Sequence, residues 1–106
     1  MLLDRTVFRM YVKDGCPYCD QARDIVLNDL NSSLHTVNVS EEPEIHELII
    51  KETGHRTVPA VYLGTEFIGG CDDLIEKSKS ADFKINVLRE EISILRSEVI
   101  RLRRSI

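Results

Sequence analysis

The sequence predicts an α/β fold: a mixed sheet in the order β-α-β-α-β-β-α, followed by one long C-terminal helix. Three observations carry this reading. Short runs rich in β-branched and aromatic residues alternate with stretches of helical periodicity. A two-residue Gly-first turn joins the last two of those runs. The final quarter repeats apolar residues at alternating spacings of three and four. The chain has 106 residues, the size of one domain with an appendage.

Val7 to Val12 reads as the first strand, with Arg9 its only charge, and Asp14-Gly15 breaks it. Pro17 suits a first helical position, where its missing N–H costs nothing. Ala22, Ile25, Val26 and Leu30 follow at helical spacing, and Asn31-Ser32-Ser33 ends the helix. His35 to Val39 alternates as a second strand. Ser40 and Pro43 open a second helix with Ile45, Leu48 and Ile49 on its apolar face, and Gly54 stops it. Ala60 to Leu63 and Glu66 to Ile68 form a hairpin around Gly64-Thr65. Gly69-Gly70 punctuates. Cys71-Asp72-Asp73 then starts a third helix that runs to about Ser80, with acidic residues in its first turn to complement the helix dipole.

A division is expected near Ser80-Ala81, giving a domain over 1–80 and an amphipathic helix over 81–106. Charge changes there too: residues 1–80 carry 8 Lys/Arg against 14 Asp/Glu, and residues 81–106 carry 6 against 4. The overall charge of −4 argues against a nucleic-acid surface. No apolar run is long enough to span a bilayer, and Met1 to Arg5 shows no leader pattern, so a cytoplasmic location is the expectation. Three cysteines, two of them as C-x-x-C, do not make a secreted disulfide framework. In a reducing compartment the remaining readings are metal and redox chemistry.

Cys16-Pro17-Tyr18-Cys19 follows a strand and a glycine and opens a helix. A cysteine at a helix N-terminus meets free N–H groups and the positive end of the dipole, and both favour the thiolate that attacks disulfides. Lys13 adds a positive charge. Cys19 lies one turn on, placed to attack a mixed disulfide at Cys16. Cys16 is thus the candidate nucleophile and Cys19 the resolving thiol. A zinc site would need a second ligand pair, and Cys71, His35, His46 and His55 have no paired spacing. Two purely structural cysteines are the other alternative. No metal is expected.

The stretch from Val7 to Lys79 resembles a dithiol glutaredoxin, with its thioredoxin-like fold. The resemblance rests on Lys13-Asp14-Gly15-Cys16-Pro17-Tyr18-Cys19, on Thr53-Gly54-His55-Arg56-Thr57-Val58-Pro59, on Gly69-Gly70-Cys71-Asp72-Asp73-Leu74 and on the element order between them. The thioredoxin branch has a Trp-Cys-Gly-Pro-Cys motif, and this chain contains no Trp. The resemblance implies a glutathione-dependent thiol–disulfide oxidoreductase that reduces protein disulfides and glutathione mixed disulfides. It also implies electron donation to ribonucleotide reductase. Lys13 would meet the glycyl carboxylate of glutathione, with Arg56 a further cation. His46 stands where many relatives place a glutamine that helps with the same carboxylate. The backbone of Thr57-Val58-Pro59 would hold the cysteinyl part, with Pro59 cis. The N–H groups of Cys71 and Asp72 would take the γ-glutamyl carboxylate, and Asp72 or Asp73 the ammonium. Tyr18 would border the sulfur groove. Plainer roles stand beside these: helix caps for Asp72 and Asp73, a strand entry for Thr57 to Pro59, a structural thiol for Cys71, a strand surface for His35 and a loop for His55. An alternative function is a dimer that binds an iron–sulfur cluster through Cys16 and glutathione, against which Pro17-Tyr18 counts.

Ile85, Leu88, Ile92, Leu95, Val99, Leu102 and Ile106 form a heptad seam. β-Branched residues at a with Leu at d favour a parallel pair, and Glu91 and Glu98 at g would meet Arg96 and Arg103 at e of a partner. A homodimer through Ile85–Ile106 is the expectation. The alternative is a helix folded back on its own domain, with Val87, Ile94 and Ile100 off the seam to serve that packing or a larger oligomer.

Overall fold

Strand β1 (Phe8–Val12) alternates buried Phe8, Met10 and Val12 with exposed Arg9 and half-buried Tyr11. That period of two puts one set of side chains into the core and the other on the opposite face. The computed structural model describes residues 6–104. Met1 to Arg5, which bear the leader expectation, and Ile106, the last seam position, lie outside the described residues. The remaining elements are α1 (Pro17–Asp24), β2 (Leu34–Asn38), α2 (Pro43–Thr53), β3 (Ala60–Leu63), β4 (Glu66–Gly69), α3 (Cys71–Ser78) and α4 (Ala81–Arg104).

The sheet order is β2-β1-β3-β4. β1 pairs parallel with β2, Phe8 opposite Leu34, and antiparallel with β3, Tyr11 opposite Ala60. β3 and β4 form the hairpin around Gly64-Thr65. This is the mixed sheet the element order predicts. One face carries the core. Phe8, Met10, Val61, Leu63 and Ile68 meet Cys19, Ala22, Ile25 and Val26 from the first helix and Cys71 and Leu74 from α3. On the other face the Tyr62 ring meets Tyr11 edge-on at a centroid distance of 5.6 Å and Phe67 at a tilt at 5.2 Å. Burial, then the nearby Tyr11 and Glu52, push the Tyr62 hydroxyl above its ordinary pKa.

The first helix does not run uniformly to its end. After Asp24 it widens into a π-helical turn over Ile25–Asp29, and Leu30 N–H donates to the Ile25 carbonyl five residues back (2.8 Å). Ile25 and Val26 are both buried in that turn. The chain then leaves through Asn31 at φ 47°.

Ser80 caps α4: its hydroxyl oxygen accepts from Phe83 N–H (3.3 Å) and its carbonyl from Lys84 N–H (3.2 Å). The helix itself starts at Ala81. Its first two turns nevertheless belong to the core. Phe83 is 6% exposed and Val87 3%, the Phe83 ring lies 6.3 Å from that of Phe8, and Ile94 packs against the same cluster. The fold-back packing thus holds for Val87 and Ile94, whereas Ile100 is exposed. Among the described residues no helix is long and apolar enough to cross a membrane.

Candidate active site

Cys16 is the residue just before α1, in extended geometry (φ −105°, ψ 103°), with Pro17 as the first helical residue. Its Sγ accepts a hydrogen bond from Cys19 N–H at 3.1 Å. The helix terminus therefore offers a donor to the sulfur, as an anion at that position requires. Cys16 is half-exposed, whereas Cys19 is 1% exposed. The two sulfurs are bonded to each other, with Cα atoms 5.2 Å apart. The loop before them is braced from β2. Asn38 Nδ2 donates to Asp14 Oδ1 (3.1 Å), and Asn38 Oδ1 accepts from Ser40 N–H (2.9 Å). Gly15 takes the left-handed conformation (φ +65°) that lets the chain turn from Asp14 into the helix.

Opposite the sulfurs runs the loop from α2 to β3. The Val58 carbonyl oxygen lies 4.0 Å from Cys16 Sγ, and the Val58–Pro59 peptide is cis. Beyond it the chain passes Gly69-Gly70 into α3. Asp73 Oδ2 accepts from Gly70 N–H (3.1 Å) and so caps that helix. Gly69 has φ +129°, and a Cβ there would run into the Asp73 carboxylate, so only glycine fits both the backbone and the space.

These three segments enclose one open groove of about 650 Å³. It brings together Lys13 and Tyr18 from the cysteine loop, Arg56, Thr57, Val58 and Pro59 from the second loop, and Cys71, Asp72 and Asp73 from α3. Two cationic side chains and two carboxylates thus stand at the rim of one cleft beside a redox disulfide. His46 does not line it. That ring sits behind the loop, with Nε2 donating to the Arg56 carbonyl (3.2 Å). His55, read from the sequence as a loop residue, does line it. Its Nε2 donates to the Pro59 carbonyl (3.1 Å), its ring packs edge-on against Phe67 (5.5 Å), and Gly70 lies against it. No spacing rule marks such a residue; only its place two residues before Thr57 hints at it. Cys71 is buried, and burial, then Asp72, raise its thiol above the ordinary pKa, so it stays neutral. Among the described residues no three of His, Cys, Asp and Glu converge as a metal site needs.

A buried sulfur bonded to a more exposed one at a helix start, on a mixed sheet of this element order, is the arrangement of the thiol–disulfide oxidoreductases of thioredoxin-like fold. Comparison with known proteins narrows the class. The glutaredoxin family model matches residues 8–68. Glutaredoxin-1 of Gallus gallus is 44% identical over 69 residues, which cover 61% of this chain and 66% of the chicken protein, just under two thirds of its length. Among solved structures, wheat glutaredoxin superposes with a TM-score of 0.73 at 28% identity, covering 80% of this chain and 84% of that one. A buckwheat glutaredoxin–glutathione complex does so at 0.73 and 26%, covering 80% and 79%. The chain belongs to the glutaredoxin family.

Proposed function

We propose that this protein uses glutathione to reduce protein disulfides and protein–glutathione mixed disulfides in a reducing, cytoplasmic compartment. The observation that carries the reading is the groove itself. Glutathione presents two carboxylates, one ammonium and a thiol, and the cleft beside Cys16 offers a matching set. Lys13 and Arg56 suit the glycyl carboxylate. Val58 offers backbone to the cysteinyl part, antiparallel as a strand would be. The first N–H groups of α3, at Cys71 and Asp72, suit the γ-glutamyl carboxylate. Asp72 and Asp73 suit the ammonium. The similarity to a glutaredoxin whose structure is a glutathione complex supports the same choice.

In the one-cysteine route the Cys16 thiolate attacks the glutathione sulfur of a mixed disulfide. The target leaves as a thiolate and takes up a proton, and a Cys16–glutathione disulfide remains. A second glutathione thiolate attacks that glutathione sulfur, which gives glutathione disulfide and restores Cys16. In the two-cysteine route Cys16 attacks a protein disulfide and Cys19 then attacks Cys16, freeing the reduced protein. The product is the Cys16–Cys19 disulfide, and two glutathiones return it to the dithiol. Ribonucleotide reductase is an electron acceptor under the same proposal.

The test separates the two thiols. Cys16→Ser should abolish turnover in a glutathione-coupled assay. Cys19→Ser should keep activity on glutathionylated substrates and lose it on protein disulfides. Equal loss in both assays for both variants would overturn the division of labour.

A further inference from the structure

The long helix α4 presents two opposite faces, and the core takes up only one of them; at the border half-buried Glu91 and Glu98 line a cleft with Leu95, Val7 and Ser33. With Ile85 as position a, the buried Phe83 and Val87 fall at f and c, and Ile94, packed on the core, falls at c. Glu90, at f, lies over Gly64 in the β3–β4 turn. The c and f positions form the back of a heptad wheel, opposite the a/d seam. Ile85, Leu88, Ile92, Leu95, Val99 and Leu102 are that seam, and they stand 46–58% exposed. Docking on the domain has thus turned every described a and d residue to the outside. The seam continues into an apolar trough of about 350 Å³ between Ile92 and Arg103.

We infer that this face is the interface of a parallel homodimer, in which the α4 helices of two copies pair along Ile85–Leu102. Charge selects the occupant and its direction. Glu91 and Glu98 at g flank the seam on one side, and Arg96 and Arg103 at e flank it on the other. A parallel second copy sets each g glutamate against an e′ arginine. An antiparallel copy would set glutamate against glutamate and arginine against arginine. An anionic lipid surface would meet the same two glutamates, which disfavours it as occupant. The first heptad does not help, because Lys84 would face Arg89′; Arg89 lines a cleft with Glu66 and Glu90 instead. Helix ordering is already provided by the core contacts of Phe83 and Val87, so pairing does not bear the nucleation cost that makes short isolated coils marginal.

Sedimentation of the full chain at micromolar concentration should give twice the 12.1 kDa of one copy. Leu95→Asp should give a monomer with unchanged glutathione-coupled activity, since Leu95 lies outside the groove. Charge reversal keeps the test independent of folding. Glu91→Arg with Glu98→Arg should weaken self-association by about tenfold, since each exposed pair contributes little alone but four are reversed together. Arg96→Glu with Arg103→Glu should do the same, and mixing the two variants should restore a dimer. A monomeric full chain, whether free or bound to anionic vesicles, would overturn the inference. So would a dimer that survives Leu95→Asp, or reversed variants that fail to re-pair while each stays folded by circular dichroism.

Discussion

Replacing Phe83 by alanine tests whether α4 is part of the catalytic domain or an attachment to it. Phe83 is 6% exposed and packs 6.3 Å, centroid to centroid, from Phe8, itself fully buried in the central strand. Truncating a buried phenylalanine costs about 3–5 kcal/mol in transfer and cavity terms. Phe83 sits at the margin of the core, so the lower end, about 3 kcal/mol, is expected. A domain of this size holds about 5–15 kcal/mol in total, so the loss is a large fraction of it. It corresponds to a fall in Tm of about 12 °C or more. The assay is thermal and urea denaturation of Phe83→Ala in the Leu95→Asp background, which removes self-association from the comparison. Leu88→Ala, on the exposed face of the same helix, is the control and should change little. A loss below about 1 kcal/mol at Phe83 would mean that the first turns of α4 are dispensable to the fold.

Asp73→Ala removes the cap on Gly70 N–H and should cost about 1 kcal/mol of stability, whereas Asp72→Ala should not; both should raise KM for glutathione, read by denaturation and steady-state kinetics together. Cys71 has its pKa raised by burial and by Asp72, so its contribution to stability is present below the ordinary thiol pKa and is lost as pH rises through the raised value. Denaturation against pH should therefore show an alkaline decline that Cys71→Ala lessens. Alkylation of the reduced protein at neutral pH should modify Cys16 well before Cys71.

The sheet and its helices were legible because each carried its own punctuation: Asp14-Gly15 after β1, Pro17 and Pro43 at helix starts, Gly54 after α2, and Gly64-Thr65 between β3 and β4. The cysteine pair was legible for the same local reason, since a helix start is written in the residues around it. Less was legible where tertiary packing decides. The π-helical turn over Ile25–Asp29 takes the same residue types as an α-helix and differs in which carbonyls its N–H groups reach, as Leu30 reaches that of Ile25. Asn38 braces Asp14 across 24 residues, and His55 reaches the Pro59 carbonyl; neither bond leaves a spacing signature. His46 bonds the Arg56 carbonyl and does not line the groove, and that bond too leaves no spacing signature. The heptad of α4 was visible from the sequence. The domain's use of its c/f side was not, because Phe83, Val87 and Ile94 become a docking face only once Phe8 and the first helix lie beneath them.

Under the proposed function Cys16 carries glutathione as a disulfide during turnover. The most direct measurement is mass spectrometry of Cys19→Ser after incubation with glutathione disulfide, with peptide mapping of the adduct. One glutathione on Cys16, released by added free glutathione, is the expected result. An unmodified Cys16, or an adduct found instead on Cys71, would mean that Cys16 is not the thiol that carries glutathione.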